Sequence, residues 1–297
     1  MKSFVFIINT MFCLYGCFVR QEIKQTVVIE QLVADNDLPI GAIPVGWHEG
    51  SVIYEMILFD SIKFKVIIDS GVSSFFLDST YLSKLGFGYQ KEGSITVIMQ
   101  SPSPWGGSIK SYRSSLPLNA SPLFGNNANN IRLLNFSKFA IDTTYIKGII
   151  PLNAFSKEII QINLKDRYIL PLDSINDDGY IKLPLELGSN LPSVVLNMLI
   201  TKDNNLYEIG GKFLIDYGYR GYICINQIKL DNVLFPQVRD TVTVQFNGIT
   251  EDDVPIYKRP LTVDELAGVL GNKFLLRFDV IIDYKRKYFY LKPYQTI

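Results

Sequence analysis

Two short segments of this chain place the residue types of acid–base chemistry in the same local setting. Phe64-Lys65-Val66-Ile67-Ile68-Asp69-Ser70-Gly71 returns as Gly211-Lys212-Phe213-Leu214-Ile215-Asp216-Tyr217-Gly218, each an apolar run ending in Asp-x-Gly. One such turn means little, because Asp and Gly are common turn residues. Two in matched contexts suggest a pair. If the halves that bear them pack about a pseudo-two-fold axis, Asp69 and Asp216 come side by side. Carboxyls that close cannot both ionise readily, so they share a proton near neutral pH. One then serves as base toward a water while the other polarises a substrate carbonyl. Gly71 and Gly218 let the backbone approach tightly and leave the strand sharply.

The elements that would position these turns repeat as well. Gly148-Ile149-Ile150-Pro151-Leu152-Asn153-Ala154-Phe155 returns, one residue shorter, as Gly268-Val269-Leu270-Gly271-Asn272-Lys273-Phe274. Each copy precedes an apolar strand and a charged turn, at 159–167 and 280–287. Order is kept while the insertions differ, as in two related lobes. The polar stretch 173–179 is the expected join. Alternation at Ile95-Val97-Met99, Ile160-Ile162-Leu164 and Val242-Val244-Phe246 predicts half-buried strands. The best helix candidate starts at the N-cap Asp78, carries Leu82 and Leu85 on one face, and stops at Gly86. Phe75, Phe76 and Leu77 read as core strand. The expected fold is mainly β with a few short helices.

Composition narrows the chemistry. The 297 residues are 47% apolar and 20% charged, which describes a folded chain. Lys and Arg together number 29, as do Asp and Glu, so no nucleic-acid footprint is present. The one histidine, His48, has no motif around it, and this argues against a Ser-His-Asp triad or a histidine-rich metal site. It reads as ordinary surface chemistry. Cys13, Cys17 and Cys224 make neither a disulfide framework nor a metal knuckle, and Cys224 reads as a buried, inert thiol. Arg220 could pair with a carboxylate but reads as a solvated surface charge.

With these motifs in place, the chain from about residue 39 onward resembles the pepsin and retropepsin superfamily of aspartic peptidases, in a bacterial two-lobed form. The resemblance implies two retropepsin-like β-barrel lobes related by a pseudo-two-fold, at 39–173 and 174–297. It implies Asp69 and Asp216 as catalytic residues, with Ser70, Gly71, Tyr217 and Gly218 in the supporting turns. Gly148 and Gly268 would back them from the segments Tyr145-Ile146-Lys147-Gly148 and Leu266-Ala267-Gly268. A flap over the substrate would be the turn at Trp105, Gly106 and Gly107. No metal or organic cofactor is implied, the substrate is an extended peptide or protein in the interlobe cleft, and two fused lobes make a monomer the expectation.

Tyr217 departs from the family's threonine or serine, whose hydroxyl bonds across the axis to the partner turn. A phenol is too large for that slot unless the turn shifts. Two outcomes stay open: a site working on one-sided support, or a peptidase-like fold that binds a peptide or envelope protein without cleaving it.

The amino terminus reads as an address. Lys2 precedes an apolar run, Phe4 to Phe18, too short for a comfortable membrane span. The expectation is a signal peptide at 1–16, a tether at 17–38 and export to a bacterial cell envelope. Leu14-Tyr15-Gly16-Cys17 resembles the lipobox, which implies lipidation at Cys17. An ordinary signal peptide cut near Gly16 is the alternative.

Overall fold

The computed structural model describes residues 38–58, 62–72, 74–85, 112–113, 131–136, 142–155, 158–188, 191–227, 239–261 and 265–294. The expected signal peptide, Cys17, the tether up to residue 37, the strand at 95–99 and the Trp105-Gly106-Gly107 turn lie outside them. Among the described residues no helix is long and apolar enough to cross a membrane.

Strands dominate, and they are arranged twice in one pattern. In the first half, β3 (Ser51–Leu58), β4 (Ile62–Asp69), β8 (Ile146–Pro151), β5 (Phe75–Asp78), β7 (Ile131–Leu134) and β6 (Tyr112–Arg113) are neighbours in that order, with β2 (Gly46–His48) on the outer edge of β3. In the second half the same order is β12 (Leu191–Lys202), β13 (Asn205–Asp216), β17 (Leu266–Gly271), β14 (Ile223–Asn226), β16 (Ile249–Arg259) and β15 (Arg239–Phe246). A pairing between β15 and β12 closes this second set into a six-stranded ring.

Strand directions match step for step. β4–β8 and β13–β17 are parallel, β5–β8 and β14–β17 antiparallel, β5–β7 and β14–β16 parallel. Even the register slips recur, between Lys65 and Val66 in one half and Lys212 and Phe213 in the other. The pseudo-two-fold expected from the sequence repeat is therefore a property of the fold.

A shared platform joins the halves. Hairpins β9 (Ile159–Asn163) to β10 (Tyr168–Leu172) and β18 (Phe278–Asp283) to β19 (Tyr288–Pro293) meet through β9 and β18, with Ile162 opposite Val280. β1 (Ile43–Pro44) extends one edge and β11 (Ile181–Gly188) the other. The segment 173–180 connects β10 to β11.

The central strands β4 and β13 read as unbroken apolar runs because both of their faces are covered. Phe64, Val66 and Ile68 enter the main core, while Ile67 packs with Ile53, Phe76 and Ile146 on the other side. Likewise Phe213 and Ile215 face the main core, and Leu214 packs with Cys224, Leu266 and Val269. Where one face is less covered the alternation survives, with Val242, Val244 and Phe246 buried along β15. The expected short helix spans Ser79–Lys84, capped by the Asp78 side chain on the Thr80 N–H. Leu82 is buried, but Leu85, expected on the same face, caps the C-terminal end and is exposed. Phe76 and Leu77 are core residues as expected.

Gly148 and Gly268 occupy equivalent positions, opposite Val66 and Phe213 in the two parallel ladders. A methyl on Gly148 would sit 2.8 Å from Val66 Cγ1 and 2.9 Å from the Phe76 carbonyl. On Gly268 it would sit 2.5 Å from the Cys224 carbonyl and 2.7 Å from the Phe213 ring. These strands press so closely that only hydrogen fits. Gly268→Ala is expected to lower unfolding free energy by about 1–3 kcal/mol in chemical denaturation. Gly148→Ala, which meets a movable valine methyl as well as backbone, is expected to lose less.

Candidate active site

The repeated strands β4 and β13 end on Asp69 and Asp216, and the two turns that follow meet. Their carboxyls lie close enough to share a hydrogen bond. Asp216 is buried and Asp69 partly so. Each carboxyl is held from behind by its own turn: the Gly71 N–H donates to Asp69 Oδ1 at 2.7 Å, and the Gly218 N–H to Asp216 Oδ1 at 2.9 Å. Asp216 Oδ1 also accepts the Tyr219 N–H at 3.0 Å.

The glycines have a second duty across the axis. A Cβ built on Gly71 would lie 3.1 Å from Asp216 Cγ, and one on Gly218 would overlap the Asp69 carboxyl, 2.6 Å from its Oδ1. The absent side chains are the space in which the opposite carboxyl sits.

Both carboxyls are held above the usual carboxylate range, and the cause is chiefly burial. For Asp69 the charge on Asp216 raises it further, against one N–H donor from Gly71. For Asp216 the donors of Tyr219 and Gly218, and the hydrogen bond from Asp69, pull the other way. Two amide donors stabilise an anion better than one. Asp216 thus faces two backbone donors to the one at Asp69, which favours the ionised form on Asp216 within the pair.

The Ser70 hydroxyl crosses between the turns. It donates to the Ile215 carbonyl at 2.7 Å and accepts the Tyr217 N–H at 2.9 Å, and it is almost fully buried. Its mirror image is missing, as the tyrosine implied, but the turn keeps the Gly218 bond to Asp216 that matches the one in the first half. The phenol leaves the slot altogether. It is 1% exposed within the main core, and its hydroxyl has no hydrogen-bond partner among the described residues. Burial, with Tyr294, Tyr284 and Asp279 nearby, holds that hydroxyl well above the usual tyrosine range.

Two residues read as surface chemistry are not. His48 is buried to 9% exposure, stacks on Tyr145 with ring centroids 4.1 Å apart, and places Nε2 3.1 Å from Asp142 Oδ2. Asp142 is in turn tied by the hydroxyl and N–H of Thr144, which with His48 hold it below the usual carboxylate range. His48, Glu49 and Asp142 form a group with metal-ligand spacing, but its members already have partners: His48 has Asp142, and Glu49 has Arg220 at 3.9 Å. Arg220 thus turns toward Glu49 and sits half-buried, where burial pulls its guanidinium down from the usual range. Neither residue lay in a motif, so only long-range contacts reveal their roles. Cys224 is buried as expected, its thiol pushed up to about 12 by burial.

No protein-family model matches the sequence, and no curated protein matches it. Among solved structures, the crystal structure of basic 7S globulin from soybean is similar to this chain at a TM-score of 0.55 and 10% identity. The likeness covers 84% of this chain and 94% of that one. At that identity it shows the fold. The fold is mainly β and pepsin-like, with one closed six-stranded barrel and, among the described residues, a second sheet of the same strand order that does not close.

Because folding raises both carboxyl pKa values, their contribution to stability is complete below the ordinary carboxyl value, about pH 4. It is lost as pH rises through the raised values. Asp69→Asn keeps the shape and removes one of the two titrating carboxyls. In thermal melts the variant is expected to have a higher Tm than the parent at neutral pH, with the difference shrinking as the pH falls toward about 4. An equal or lower Tm at neutral pH would contradict a buried pair of like groups.

Proposed function

We propose that this chain is an aspartic endopeptidase that hydrolyses peptide bonds with a water activated between Asp69 and Asp216. The observation that carries the reading is the hydrogen-bonded, buried carboxyl pair at the meeting of two equivalent turns. Ionised Asp216 takes a proton from the water as its oxygen attacks the scissile carbonyl carbon. Protonated Asp69 gives its proton to the carbonyl oxygen. The tetrahedral diol then collapses: Asp216 gives its proton to the leaving nitrogen, a diol hydroxyl gives its proton to Asp69, the C–N bond breaks, and the pair is back in its starting state. The substrate lies extended between the halves, pairing its backbone with strand edges. Export by the amino-terminal segment, with a lipid on Cys17, belongs to this proposal, as does function as a monomer without metal or cofactor.

Tyr217 favours a second reading. With one of the two cross-turn hydroxyls replaced, the fold could serve as a peptide- or protein-binding module that does not turn over.

Incubating the purified protein with a peptide library from acidic to neutral pH separates the two. The peptidase reading expects cleavage that a pepstatin-like inhibitor blocks and that Asp69→Asn or Asp216→Asn lowers by at least about 10²-fold. Folded protein that cleaves nothing at any pH, yet holds peptides equally well as Asp69→Asn, would establish the binding module instead.

A further inference from the structure

We propose that Asn272 is a positioning residue for the second aspartate turn, supplying the tie from the second half to the first that Tyr217 cannot make. The inference rests on reading Asp69 and Asp216 as a functional pair.

Asn272 follows β17 directly and is completely buried. Its side-chain amide donates to the Gly50 carbonyl at 2.7 Å and to the Tyr217 carbonyl at 3.2 Å. Its backbone N–H donates to the Tyr219 carbonyl at 2.9 Å. One residue therefore grips the turn carrying Asp216 at two points and fastens it to the tip of the β2–β3 hairpin in the other half. Both side-chain neighbours are carbonyls, so the nitrogen must face them. The amide oxygen is left buried, with no partner among the described residues.

That orphaned oxygen is a cost a plain core residue would avoid. The fold does not require it, as the first half shows. Asp69 pairs with Pro151 and Asp216 with Gly271, so the residue equivalent to Asn272 is Leu152, an apolar core side chain. The polar choice occurs only in the half whose turn lacks the crossing hydroxyl. Ser70 ties the first half to the second, and Asn272 returns the tie. The Glu49–Arg220 pair lies at the same junction.

The test reads the carboxyls themselves. Carbon-13 NMR of aspartate-labelled protein across pH follows the two titration steps of the pair, whose separation reports how strongly they couple. In Asn272→Ala the turn loosens, and the separation is expected to narrow by about half a pH unit or more. Asn272→Ser keeps one donor and is expected to narrow it less. In a Tyr217→Thr background, where a hydroxyl can make the crossing bond, Asn272→Ala is expected to change the separation little.

A lower Tm with unchanged separation would make Asn272 merely structural and overturn the proposal, as would equal narrowing in both backgrounds. Should Asn272→Ala not fold, Asn272→Ser decides in the same way: narrowing that the Tyr217→Thr background removes supports the proposal, and no narrowing overturns it. Because the signal is a carboxyl shift, the test holds for a protein that cleaves nothing; absent cleavage counts against the peptidase reading alone.

Discussion

Two carboxyl groups, removed from water and pressed against each other, set the terms for everything around them. Neither can ionise cheaply in that setting, and both together hardly at all. The fold must therefore hold apart a pair that would repel if both lost protons, and hold together a pair that water would otherwise solvate separately. It does so with backbone. Amide donors from the two turns face Asp69 and Asp216, and missing side chains at Gly71 and Gly218 leave each carboxyl room over the opposite turn. The unequal number of donors makes the two chemically identical groups unlike, favouring the charged form at Asp216 over Asp69.

The duplicated architecture makes this possible. Two sets of strands in one order deliver two turns to the same place, and the platform built on β9 and β18 joins the halves that carry them. The symmetry is imperfect where it matters. Ser70 crosses from the first turn, whereas Tyr217 sends its ring into the core and leaves its hydroxyl unpaired among the described residues. A buried phenol without a partner is unfavourable, yet the second turn keeps the bond from Gly218 to Asp216 that matches the one from Gly71 to Asp69, and adds the Tyr219 N–H. The arrangement tolerates loss of one crossing hydroxyl because the position of the turn is fixed by several backbone contacts as well.

Much of this was legible in the sequence because it rests on local rules. Asp-x-Gly at the end of an apolar run, and Gly148 and Gly268 at matching offsets, are constraints that close backbone packing writes into residue type. The Asp78 cap and the alternation along β15 are equally local. What the sequence concealed depends on distant partners. His48 carries no motif, and only the fold brings it to Asp142 and Tyr145. Arg220 meets Glu49 across some 170 positions of chain. The side-chain direction of Tyr217 could not be read either, since ring size excludes the hydroxyl slot without saying where the ring goes. Leu85 shows the limit at short range: helical spacing placed it on the buried face, but the helix ended there and left it exposed.

A crystal structure of the protein at mildly acidic pH would test the central claim most directly, through the positions of the Asp69 and Asp216 side chains. The account expects their carboxyl oxygens within hydrogen-bonding distance, with Ser70 bridging to the backbone of the opposite turn. Carboxyls pointing into separate surroundings, each with its own solvent, would contradict it.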